Sequence, residues 1–175
     1  MEAAVRRVFP LLVTCFALTV PAQGREALSE WVPYVNERFG FSFAYPTGVF
    51  EPERRTEMGD GEMFAGVRGH ARLLVGAFEN EDGHTVASYM NYIRKESYSG
   101  YDVDYAPRGK TWFVLSGEND QNVFYEKVMF SCYGRIISSF ALIYPIVSKA
   151  MFDPVVEGIE KTFRPGQNCG PYARP

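Results

Sequence analysis

The stretch Trp112–Tyr144 constrains the fold more than any other part of the chain. It reads as three consecutive β-strands, Trp112–Ser116, Val123–Cys132 and Arg135–Tyr144, with turns at Gly117–Asn122 and Tyr133-Gly134. Both faces of the two long strands carry apolar residues. Phe124, Val128 and Phe130 oppose Val123, Tyr125 and Met129; Ile136, Phe140 and Leu142 oppose Ile137, Ala141 and Ile143. An antiparallel sheet with one wet face alternates more cleanly, so this sheet is expected to be covered on both faces.

The rest of the chain supplies the cover. From Val86 to about Ser97, Val86, Tyr89, Met90 and Ile93 share one face of a predicted helix that Thr85 can cap. A second helix is predicted with Asp153 as N-cap and Pro154 in its first position, its stripe being Phe152, Val155, Val156, Ile159 and Phe163. Further strands are expected at Trp31–Asn36, Gly40–Tyr45, Glu62–Arg68, Ala71–Phe78 and Tyr101–Tyr105, with a polar surface loop over Glu51–Gly61. The expected class is α+β: one antiparallel sheet of about six to seven strands with helices on both faces.

Residues 1–22 have the pattern of a signal peptide. Arg6 and Arg7 precede an apolar run from Val8 to Val20, and Val20-Pro21-Ala22 suits cleavage after Ala22. About 13 apolar residues fall short of the roughly 20 needed to span a bilayer, so no stable membrane anchor is expected after cleavage. Arg6-Arg7-Val8-Phe9 partly matches a twin-arginine signal, but its flanks fit poorly. Leu12-Val13-Thr14-Cys15 is a poor lipoprotein box because of Thr14 and the apolar residues beyond Cys15. Ordinary export is the expectation, to the periplasm or medium of a Gram-negative bacterium.

Residues 23–175 then form one domain with a C-terminal tail from about Arg164. Cleavage leaves 16 basic and 20 acidic side chains, with no basic cluster to track a phosphate backbone, so nucleic acid is excluded as an expected partner. Cys132 and Cys169 survive cleavage and form an even pair, expected to be a disulfide in an oxidising compartment.

Several phrases resemble a family of small, exported, largely uncharacterised proteobacterial proteins: Trp31–Pro46, Gly59–Phe64 with Ala71–Asn80, Trp112–Gly117, Phe124–Lys127 and Tyr144–Phe163. The aromatic-Gly-Phe-Ser-Phe-x-Tyr-Pro opening and the late meander closed by a helix look like the PsbP-type fold. That resemblance implies an antiparallel sheet between helices, and supplies no catalytic residue.

The residues themselves offer little chemistry. His70 and His84 lack zinc-ligand spacing and read as turn residues. Asp60-Gly61-Glu62 and Asn80–Gly83 lack the closing Glu of a calcium loop, so no metal or cofactor is expected. Ser116-Gly117 lacks the Gly-x-Ser-x-Gly elbow of a hydrolase and sits between strands. Tyr92, Tyr98 and Tyr101 are the candidate partner-binding residues, since Tyr98 and Tyr101 flank Ser99-Gly100, where exposure is expected. The leading expectation is a non-catalytic exported domain that binds another envelope component. The alternatives are a small-ligand or peptide carrier using a groove beside helix 86–97, and a hydrolase built on Ser116.

Overall fold

The computed structural model describes residues 30–170; the signal peptide expected over residues 1–22 lies outside them. Nine strands and two helices follow in order. They are β1 (Trp31–Val35), β2 (Ser42–Pro46), β3 (Phe50–Arg55), β4 (Gly61–Gly66), β5 (Arg72–Glu79), α1 (Val86–Glu96), β6 (Asp102–Tyr105), β7 (Trp112–Glu118), β8 (Asn122–Ser131), β9 (Ile136–Pro145) and α2 (Lys149–Thr162). Seven strands form one antiparallel sheet in the order β3-β4-β5-β9-β8-β7-β6, while β1 and β2 pair as a separate hairpin. β9 therefore lies between β5 and β8, joining the early meander to the late one.

The two-sided apolar pattern of the long strands divides the core in two. Ile136, Phe140, Leu142 and Tyr144 of β9 join Leu73, Val75, the β2 aromatics Phe43 and Tyr45, and Phe152, Val155 and Ile159 of α2. The alternate β9 residues Ile137 and Ile143 join Phe124, Val128 and Phe130 of β8, Phe113 and Leu115 of β7, and Ile93 of α1. The predicted stripe of α1 faces this second core, with Val86, Tyr89 and Met90 packed at its margin. Thr85 and Ser88 close a reciprocal capping box at the start of that helix.

Three expectations are corrected. Residues 51–55, read as loop, belong to β3, an edge strand paired with β4. Only Phe50 of that strand is buried, so its outward charges hid it from any periodicity argument. The turn between β8 and β9 spans four residues, Cys132–Arg135, the first three of which take positive φ. The second helix starts at Lys149, four residues before the expected cap. Pro154 consequently sits inside α2, where it has no N–H for the carbonyl of Ala150. Asp153 is not a cap; its carboxylate accepts from Lys149 Nζ at 2.8 Å and from the Tyr144 hydroxyl at 3.4 Å.

Cys132 and Cys169 are joined, with Cα atoms 5.6 Å apart. The tail is also held without the bridge. Arg164 pairs with Ser42 of β2, Ser131 Oγ donates to the Gly166 carbonyl, and Gly166 N donates to Ser138 Oγ.

Candidate functional site

A cleft of about 410 Å³ opens beside the C-terminal end of α1, within the range of small-molecule sites, roughly 300–1,000 Å³. Its origin lies in side-chain size on one sheet face. Gly76 of β5 is paired with Ser139 of β9, and Leu74 with Ala141. Three small residues in adjacent positions leave a depression, and Leu74 and Ile143 give it apolar walls. Ser97 and Tyr98, just past α1, close one side.

Glu126 of β8 lines this cleft and is only 8% exposed. It occupies an inward position between Phe124 and Val128, both fully buried. The Tyr98 hydroxyl donates to Glu126 Oε2 at 2.6 Å, and the ring of Tyr98 stacks on Phe124 with centroids 3.7 Å apart. Burial pushes the Glu126 carboxyl up to about 7, while the hydroxyls of Tyr98 and Ser139 pull in the opposite direction by hydrogen bonding to the anion. Among the described residues, none of the ion pairs involves Glu126. Burial, with Glu126 nearby, also pushes the phenols of Tyr98 and Tyr89 far up, so both stay protonated.

The three tyrosines singled out from sequence have different fates. Tyr98 is buried, contrary to the exposure expected beside Ser99-Gly100, because the chain turns inward there to stack it on Phe124. Tyr101 is half-buried and meets Tyr98 and Phe124 edge-on. Tyr92 is exposed and forms a surface group with His84 and Tyr89. Glu126 itself went unremarked as a site residue. Its signal was present: an acidic side chain on the inward side of a strand apolar on both faces.

The other sequence candidates are held locally. Ser116 lies within β7 and its hydroxyl donates to the Phe124 carbonyl at 2.8 Å, away from any strand-to-helix turn. His84 Nδ1 lies 3.3 Å from Ser88 Oγ at the helix cap, and His70 occupies a turn with φ of 61°. Asn80 holds its own turn through the His84 N–H and carbonyl and reaches the Gly134 carbonyl.

A second cleft, of about 430 Å³, lies between the β4–β5 turn and the start of α2. Val49, Pro145, Met151 and Phe152 line it with Arg68 and His70 at the turn. Val147, also lining it, is 91% exposed.

No family model matches the chain, and no curated protein matches it. Among solved structures, cyanobacterial PsbP (CyanoP) from Synechocystis sp. PCC 6803 is similar at a TM-score of 0.58 and 13% identity, over 88% of this chain and 98% of that one. The Saccharomyces cerevisiae Ran-binding protein Mog1p is similar at 0.57 and 9%, over 77% of this chain and 95% of that one. The fold is therefore PsbP-like, shared with Mog1. At such identities the likeness is one of architecture, and function has to be argued from the sites.

Proposed function

We propose that this chain is a non-catalytic exported domain that acts by binding another protein of the cell envelope. The observation that carries this reading is Val147, almost wholly exposed at an apolar cleft built by Val49, Met151 and Phe152. An apolar depression with an outward aliphatic rim is the kind of surface that another protein covers. Arg68 at the turn suits a partner that presents an apolar side chain next to a carboxylate. Support also comes from the fold, since one protein that shares it is a Ran-binding protein. The bridged Cys132–Cys169 pair fits an oxidising compartment. The α/β/α layering belongs to the same reading, supported by the division of the core between α2 and α1 on alternate residues of β9.

Site-specific photocrosslinking in the intact envelope tests the proposal. A photoreactive residue at Val147 should capture a discrete partner that one at exposed Tyr133 does not, and Met151→Asp should abolish the product. No product above the Tyr133 background would overturn it.

A second reading, a small-ligand carrier, is favoured by the cleft beside α1 and by the buried carboxyl at its edge.

A further inference from the structure

We infer that the cleft beside α1 is a binding site for a small apolar molecule carrying a protonated amine, whose ammonium pairs with the carboxylate of Glu126. The inference rests on the small-ligand reading and adds the chemical class.

The argument starts from charge. A carboxylate removed from water is stabilised by a counter-charge or avoids ionising. Glu126 accepts a hydrogen bond from the Tyr98 hydroxyl at 2.6 Å, which favours its anionic form. Yet no ion pair among the described residues reaches it. The site thus holds a buried carboxyl with a hydroxyl donor and no counter-cation among the described residues. It also lies open on the side where that cation could enter, since Glu126, Ser139 and Tyr98 all line the cleft.

Shape selects the remainder of the ligand. Gly76, Ser139 and Ala141 form a shallow floor, and Leu74 and Ile143 offer hydrocarbon to a hydrocarbon body. The titratable groups facing Glu126 are the phenols of Tyr98 and Tyr89, both kept neutral. The pH dependence of binding therefore reports Glu126.

The test uses the full chain recovered from the periplasm, with phenethylammonium as probe and 2-phenylethanol as its uncharged counterpart. Two-dimensional amide NMR locates binding. Phenethylammonium should shift the amides of Gly76, Ser97, Ser139 and Ala141 and leave those beside Val147 in place. Its affinity should rise about tenfold from pH 6 to pH 8 as Glu126 loses its proton, and Glu126→Gln should weaken it by at least about tenfold at pH 8. Ala141→Leu, which fills the floor and leaves Glu126 intact, should abolish binding, so the result does not depend on one variant folding. Equal binding of both probes, indifferent to pH and to Glu126→Gln, would overturn the amine assignment and leave the carrier reading standing. Cleft amides unmoved by millimolar amounts of either probe would overturn both.

Discussion

At Glu126 the protein keeps a carboxyl group between two fully buried apolar residues, Phe124 and Val128, and this has a measurable cost. Burial pushes the folded carboxyl up to about 7 from an ordinary value near 4.5. The folded state therefore holds its proton more tightly than the unfolded state does. Stability is fully present below about pH 4.5 and falls as pH rises through 7. Glu126→Gln removes the titration. Its stability should match the wild type near pH 5 and exceed it at pH 8 by about 2–3 kcal/mol, read from urea unfolding at the two pH values. Tyr98→Phe acts in the opposite direction by taking a donor from the anion. It should cost about 2 kcal/mol at pH 8 and less at pH 5, where the acceptor is neutral.

At the scale of elements, α2 shows how packing overrides propensity. Gly158 stands in the middle of this helix, where Gly→Ala ordinarily stabilises by up to about 1 kcal/mol. A Cβ there would run into the indole of Trp31 on β1. Gly158→Ala should instead destabilise, by about 1–2 kcal/mol, with a shift in Trp fluorescence as the ring leaves its seat. Pro154→Ala in the same helix should stabilise by about 1–2 kcal/mol, because it restores the hydrogen bond to Ala150 without touching the buried face; thermal unfolding reads it directly. These details also mark what the sequence could convey. Strongly periodic elements such as α1 and β8 were legible within a residue or two, because burial dictates their spacing. β3 was not, since one buried residue in six leaves no period. Asp153-Pro154 misplaced the start of α2, because a helix held by Phe152 and Val155 tolerates an internal proline. A groove beside helix 86–97 was an expectation, but its floor was not legible, because it is made by three small residues on two strands far apart in sequence. Only the β5–β9 pairing brings Gly76 and Ser139 together.

For the whole molecule, the Cys132–Cys169 bridge closes a loop of 37 residues. A chain-entropy treatment assigns it up to about 4 kcal/mol. Cys132→Ser with Cys169→Ser should lower stability by about 2–4 kcal/mol yet leave the fold in place, because Gly166 is tied independently to Ser131 and Ser138. Far-UV circular dichroism and denaturant midpoints, with and without reductant, check both halves of that expectation.

The same tail has a consequence in time. Asn168 donates to the carbonyl of Glu37 across 131 residues, and Arg164 pairs with Ser42. The earliest hairpin of the described fold is thus completed by some of its latest residues, and Phe41 and Phe43 share their core with Phe163. Until that last segment arrives, the first one has nothing to close against. Loop closure over such distances is slow and comes late, so a chain emerging in order keeps its aromatic hairpin uncovered until residues 163–168 have followed.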